Sequence, residues 1–391
     1  MEAIYVVLVV LSTLSWAVFA LLPWRPWSNQ EVLEAFDRDG RKEALKEITV
    51  VIPARNEADV IQQTLHSIIE QGPGLSIVLV DDHSADATVE KARQMRISKL
   101  RIIQSGPLPD GWSGKLWALE QARQRVTTPY TLFLDADIRM ARDTITALRK
   151  KMEQRGVPFI SLMAVPSLSG CWEKLLMPAF VYFFKILYPF RRVNSHHANV
   201  AAAAGGCILV ESRLLDQIGG FESIKSAVID DCTLARHVKS QGFGIWLGLT
   251  HSVKSGRSPQ RLQEIWDMVA RTAFAQLDHS TGRLILCTLV MLLAYQIPLI
   301  AVASPNILIR SLSLGSLGIM FLTYVPTLRF YHRSLTWALG LPLIAALFLA
   351  MTWTSAIRYW RGERTRWKGR IYQRQDNSAM FSKSKRRRLE L

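Results

Sequence analysis

The chain has 391 residues, 49% of them hydrophobic and 20% charged, a balance that excludes a disordered or tail-like protein. Its formal charge of +16 is uneven: from Arg358 onward 12 Lys/Arg stand against 3 Asp/Glu, so +9 lies in a basic tail, which beside apolar runs points to anionic lipid headgroups rather than nucleic acid. Cys171, Cys207, Cys232 and Cys287 lie far apart with no C-x-x-C pair, which argues against a disulfide framework or a cysteine zinc site and suits a reducing compartment.

Residues 4–22 are uncharged and about as long as the ~20 residues a bilayer crossing needs. The flank Met1-Glu2-Ala3 carries no positive cluster and no clear cleavage site follows, so the segment reads as a retained anchor, with Arg25 favouring cytoplasm on its far side. After a linker (23–46), a central domain is expected over 47–282. Its strands are the apolar runs 48–53, 75–80, 100–104 and 130–134, alternating with helices at 57–71, 85–95 (capped by Ser84 or Asp86) and 116–125. Such alternation predicts an α/β fold, a mostly parallel sheet with helices on both faces, and ligands at the carboxyl ends of its strands. The run 175–190, ending in Arg191-Arg192, is either an interfacial helix or an ordinary core helix.

A C-terminal membrane region is expected over 283–358, with apolar runs at 284–304, 307–326 and 335–357, before the basic tail at 359–391. Arg329, His332 and Arg333 between the last two runs mark cytoplasm. Three full crossings after a cytoplasmic domain would put the arginine-rich tail outside, against that rule, so one of the three is expected to be re-entrant or interfacial. Pro298, Pro326 and Pro342 offer places for a break.

Three predicted strand ends are acidic or polar: Pro53-Ala-Arg-Asn-Glu57, Asp81-Asp82-His-Ser84 and Asp135-Ala-Asp137. Acids gathered at one sheet edge repel unless something positive sits among them. In an extended segment i and i+2 share a face, so Asp135 and Asp137 offer two hard oxygen ligands to magnesium or manganese; the same residues also suit an aspartate-rich turn. Asp81 and Asp82 can accept nucleobase hydrogens, or Asp82 can cap a helix. In Gly111-Trp-Ser-Gly114-Lys115, glycines, a lysine and a following helix N-terminus suit a phosphate, or a plain surface loop. Of Asp230-Asp231 one acid can cap a helix and the other serve as general base. His251, after a strand-like run at 243–249, is a candidate third metal ligand or a structural histidine. Arg257 and Arg271 are candidates to offset leaving-group charge, or face headgroups.

In order and spacing, Val51-Ile-Pro-Ala-Arg-Asn-Glu57, Val80-Asp-Asp-His-Ser84, Leu134-Asp-Ala-Asp137 and Ile229-Asp-Asp231 resemble glycosyltransferase family 2 with its GT-A fold. The tighter likeness is to the hopene-associated glycosyltransferases, through Gly111 to Trp117, Met268-Val-Ala-Arg-Thr-Ala-Phe274 and Trp367-Lys-Gly-Arg370. The resemblance implies a nucleotide-sugar donor, a UDP-sugar, with inversion at the anomeric carbon. Asp82 would contact the base and Pro53, Arg55 and Glu57 would line the nucleotide pocket, with Asp81, Lys115 and Arg271 completing the donor site. Asp135 and Asp137 would hold a divalent metal, and Asp231 would take the acceptor proton. Asp230 stands where the family usually has glutamate, and the Gln-x-x-Arg-Trp of processive synthases is missing, which points to one sugar per turnover. The expected acceptor is a lipid, a hopanoid by resemblance, and the expected location is the inner cell membrane, multi-pass, with the catalytic domain cytoplasmic. Two rivals are a polyprenyl-phosphate sugar transferase, with Arg191-Arg192 meeting the phosphate, and a non-catalytic transporter or scaffold.

Overall fold

The β-branched run after Glu47 forms a fully buried strand, β1 (Ile48–Ala54), in the computed structural model, which describes residues 2–35, 44–259, 261–367 and 370–373. Seven more strands join it: β2 (Ser76–Asp81), β3 (Leu100–Gln104), β4 (Tyr130–Leu134), β5 (Ile138–Met140), β6 (Phe159–Val165), β7 (Cys207–Glu211) and β8 (Ile245–Ser255). Their order in the sheet is β3-β2-β1-β4-β7-β6-β8-β5. The first four are mutually parallel, as alternation with helices requires, and β6 is parallel to β8. The sheet is nevertheless mixed, because β7 runs antiparallel between β4 and β6, and β5 runs antiparallel to β8. After β6 the chain passes through a helix, Cys171–Leu187, and comes back as β7 on the edge it left, which reverses the strand.

Period-two alternation sends successive side chains to opposite faces. Ile48, Val50 and Ile52 of β1 pack with Ile61, Leu65 and Ile68 of helix Ile61–Ile69 and with Ile145 and Leu148 of helix Thr144–Arg155. Val51 points the other way, to Leu116 and Leu119 of helix Gly114–Arg123 and Leu234 of helix Asp230–Ser240. Helices therefore cover both faces, and the helices after β1 and β2 are shorter than expected, Ile61–Ile69 and Thr88–Gln94. Before the second, Asp86 accepts the Thr88 N–H at 3.1 Å and the Ala58 N–H at 3.0 Å, which ties two loops rather than extending the helix.

Among the described residues four helices are long and apolar enough to cross a membrane: Ala3–Leu21, Thr281–Ala301, Ile307–Phe330 and Leu335–Trp360. The run read as interfacial or core is the helix Cys171–Leu187, and it serves both cores. Val181 lies in the core of the sheet domain, while Leu176, Met177, Ala179 and Tyr182 pack with Trp16, Tyr324 and Phe348 of the apolar helices. Its buried Lys185 bonds to Ser28 O at 3.2 Å, Thr327 Oγ1 at 3.1 Å and Asn29 Oδ1, joining the segment after the first helix to the end of the third.

Candidate active site

Register carries the strand ends to one edge: Pro53 pairs with Val80 and Ala54 with Asp81, and β4 stops at Leu134 beside them. Beyond β4 the chain turns, with Ile138 N–H donating to Asp135 O at 3.0 Å. Ala136 is buried in the core, and its carbonyl accepts from Thr64 Oγ1 at 2.7 Å. Asp135 and Asp137 flank it and both line an open cleft of about 900 Å³. The two are joined through a turn instead of the extended geometry that motivated the expectation.

Pro53, Glu57, Lys115, Asp230, Arg257 and Arg271 line the same cleft. Lys115 opens the helix that Ser113 caps, with Ser113 Oγ accepting from Leu116 N–H at 3.3 Å. Its ammonium lies 3.0 Å from Asp135 and 3.4 Å from Asp230. Burial alone would lower the Lys115 pKa, but the charges of Asp135 and Asp230 outweigh it and raise the value. Burial raises Asp135 against the opposing pull of Lys115. Arg257, just past β8, pairs with Glu57 and sits 3.2 Å from Asp137, which also accepts from Ser255 Oγ at 3.2 Å. Burial pushes Glu57 up to about 7 against that guanidinium. The positive charge that clustered acids demand thus comes, within this chain, from Lys115 and Arg257.

Asp231 lies beside this cleft in a small recess that shares Pro53, Lys115, Asp135 and Asp230 with it. The acid pair occupies the first turn of helix Asp230–Ser240, where the helix dipole favours negative charge, and neither residue is the N-cap. Asp231 accepts the Gly205 N–H at 2.8 Å and the Cys232 N–H at 2.7 Å, one on each oxygen. Burial and then the charge of Asp230 push Asp231 up to about 6, opposed by Lys115 and the two N–H donors.

Three expected donor residues stand apart from the cleft lining. Arg55 donates to Asp82 O at 2.5 Å and approaches its carboxylate at 3.5 Å, and the buried Asp82 also accepts from Ser105 Oγ at 3.2 Å. Asp81 accepts the Ser84 N–H at 3.2 Å. The three form one cluster at the end of β2. His251 does not join the acids: its Nδ1 is 2.7 Å from Glu34 Oε1, its Nε2 is 2.7 Å from Phe330 O, and its ring stacks on Phe330 at 4.1 Å. Both nitrogens a metal would use are engaged by the segment before β1 and by an apolar helix, so the expected third ligand is corrected to a structural tie. Among the described residues no group of three or more His, Cys, Asp or Glu is placed to hold a metal. Asp135 and Asp137 by themselves fit one: two hard carboxylates in an open cleft, to which phosphate and water oxygens would add.

The far wall of the cleft was not legible as a site. Met177, Met268, Phe274 and Tyr359 bring apolar surface to it from three separate helices and a loop. The amphipathic spacing of Ile265 and Val269, buried with Asp267 exposed between them, was the signal for the helix Leu262–Ala270 that carries this wall.

Residues 49–219 match the model of glycosyl transferase family 2. A 4,4'-diaponeurosporenoate glycosyltransferase from Staphylococcus aureus is 25% identical over 384 residues, covering 94% of this chain and 97% of its own length. One from Staphylococcus haemolyticus is 29% identical over 133 residues, covering 33% and 35%. A mannosyltransferase from Pyrobaculum calidifontis, solved in complex with GDP-Man and Mn2+, superposes with a TM-score of 0.53 at 18% identity, over 93% of this chain and 97% of that one, which shows a common GT-A-like fold. The chain is a glycosyltransferase, and its residues 49–219 form a domain of family 2.

Proposed function

We propose that the enzyme moves one sugar from a nucleotide-sugar donor to a lipid acceptor at a membrane face, with inversion. The observation that carries this reading is the make-up of one cleft. Asp135, Asp137, Lys115 and Arg257 form one network of ion pairs on its lining, and Met177, Met268, Phe274 and Tyr359, beside the apolar helices, add apolar surface to the same lining. The charged network suits a diphosphate and the apolar surface a hydrophobic acceptor. The relatives named for 4,4'-diaponeurosporenoate support an apolar acceptor, and the hopene-associated likeness adds a hopanoid. A UDP-sugar is the donor the resemblance favours.

Asp135 and Asp137 would hold a magnesium or manganese ion, which when bound supplies charge that stabilises a leaving diphosphate. Lys115 adds fixed positive charge beside Asp135, and Arg271 adds more on the lining of the same cleft. Asp231 takes the acceptor hydroxyl proton while the oxygen forms its bond to the anomeric carbon. The bond to the diphosphate breaks, and its electron pair leaves with the nucleotide. Each Asp231 oxygen retains a lone pair beyond the one its N–H donor uses, so the anchored carboxylate can still accept. Its two anchors fix its orientation, which is what a general base requires. Asp82, Asp81 and Arg55 are proposed for the nucleoside at the end of β2.

The polyprenyl-phosphate rival is weakened by its own required residues. Arg191 donates to Pro23 O at 3.0 Å, Arg192 lies over the Trp24 ring at 4.9 Å, and neither lines the cleft. Detergent-purified enzyme screened over UDP- and GDP-sugars with magnesium or manganese, against a hopanoid alcohol, a carotenoid carboxylate and a polyprenyl phosphate, tests the assignment. Glycosylated apolar alcohol or carboxylate is expected. Turnover with the phosphorylated lipid alone sinks it.

A further inference from the structure

The last long apolar helix, Leu335–Trp360, has the length of a membrane span but touches the catalytic domain along its course. At its start a Cβ on Gly340 would come within 3.7 Å of Leu175 Cδ1, and midway Phe348 packs on Phe183 at 5.1 Å. Leu175 and Phe183 belong to the helix Cys171–Leu187 that joins β6 to β7. At its end Thr354 accepts from Trp266 Nε1 at 3.1 Å, Ser355 from the Phe274 N–H at 3.0 Å, and Arg358 lies 2.5 Å from Asp267. A helix of 20 residues, Leu341–Trp360, is about 30 Å long at 1.5 Å per residue. Had it crossed a bilayer, one of its ends would have left the domain by that distance.

The opposite end of the helical bundle confirms the count. Val9, Ala301 and Ile309 pack there with Tyr5, Val6, Ile297 and Leu312, residues of the three other long helices, and no residue of 335–360 joins them. The neighbouring helix does run beside the last one, through Trp353 to Thr288 at 3.0 Å and Gln296 to Pro342 at 2.8 Å. That pairing stops at the π-helical turn Leu292–Gln296, after which the neighbour continues through Pro298 toward Ala301 alone.

We infer that Ala3–Leu21 and Ile307–Phe330 cross the membrane, that Thr281–Ala301 lies beside the last helix up to its π-helical turn and only then rises to their far end, and that Leu335–Trp360 lies in the lipid interface as a cover on the catalytic cleft. Ser355, Arg358 and Tyr359 face the cleft, and Leu339, Leu343, Ile357 and Trp360 are exposed for lipid. The sidedness follows. Both ends of the cover helix stay with the catalytic domain, so the chain that leaves it at Arg361 starts on the domain side. The turn between Ala301 and Ile307 carries no charge and Arg310 alone follows it within a helical turn, whereas Arg25, Arg329, Arg333, Arg358 and Arg361 fall on the domain side, five arginines to one. The conflict between three C-terminal crossings and a basic tail disappears.

The test uses the full-length chain in spheroplasts. One version carries an epitope tag after Leu391, and another carries Ala303→Cys, an exposed position in the turn. The tag should resist protease until the membrane is permeabilised. Ala303→Cys should react with an impermeant maleimide in intact spheroplasts, above the labelling of the unsubstituted chain. Unchanged thermal melting in detergent shows that each version folds. A tag cut in intact spheroplasts, or a cysteine that reacts only after permeabilisation, overturns the inference, and neither result depends on which sugar or acceptor the enzyme uses.

Discussion

Asp230 and Asp231 are adjacent, yet their surroundings divide their roles. Asp230 faces the main cleft and holds Lys115, while Asp231 is fixed by Gly205 and Cys232 in the recess behind. A base acts when ionised, so with Asp231 near 6 the rate should climb as pH rises through that value and level off above it. Asp231→Asn should lower turnover by about 10²–10⁴-fold, the usual worth of general-base help, with melting in detergent unchanged. Asp230→Asn should do something different. Removing the neighbouring negative charge takes away one cause of the raised Asp231 pKa, so the acidic limb of kcat/KM should move to lower pH, while Asp135 still holds Lys115. Full activity in Asp231→Asn, or an unmoved limb in Asp230→Asn, counts against the assignment. Gly205 gives a third handle, since a Cβ there would meet Asp231 Oδ2 at 3.2 Å. Gly205→Ala should reduce kcat and leave the donor KM nearly unchanged, as steady-state kinetics with varied donor would show.

Among the elements, Cys171–Leu187 packs into both cores, and Lys185 is its link to the membrane helices. Lys185→Met would remove a donor from Ser28 O, Asn29 Oδ1 and Thr327 Oγ1 while nearly keeping the volume. Leaving buried acceptors unsatisfied costs about 1–3 kcal/mol, so the melting temperature in detergent should fall, with activity at low temperature retained because Lys185 does not line the cleft. An unchanged melting curve would show the tie to be dispensable. The same scale explains what the sequence could and could not convey. Ile48 to Pro53 and Tyr130 to Leu134 are apolar runs closed by polar turns, and such strands are legible from composition alone. β7 is a similar run, but its antiparallel place between β4 and β6 depends on where the chain re-enters the sheet, which no local pattern encodes. Asp135 and Asp137 were legible because two acids follow a strand. The pairing of Arg257 with Glu57 was not, since 200 residues separate them and only the short β5–β8 ladder brings them together. His251 misled because it is a histidine after a strand, and its partners Glu34 and Phe330 lie far away in both directions.

For the whole molecule, the charge balance of the cleft decides how a donor can bind. Glu57, Asp135, Asp137, Asp230, Glu264, Asp267 and Glu363 line it against Lys115, Arg257, Arg271 and Arg358, seven acids to four cations. A nucleoside diphosphate-sugar adds about two negative charges, so the closed complex is short of positive charge unless a divalent ion enters with it. Arg257 and Ser255 both engage Asp137 through Oδ2, so an ion can approach Asp137 through Oδ1 with these contacts and the Arg257–Glu57 pair kept. Donor affinity should therefore collapse in EDTA and return with magnesium or manganese. Asp137→Ala should lose this metal-dependent binding, whereas Asp231→Asn should keep it and lose only transfer. Titration calorimetry with a UDP-sugar, with and without the ion, separates the two steps in one pair of variants. Wild-type affinity in EDTA, or metal-dependent binding that survives in Asp137→Ala, would mean that Lys115, Arg257 and Arg271 suffice for the diphosphate and that Asp135 and Asp137 serve only to position them.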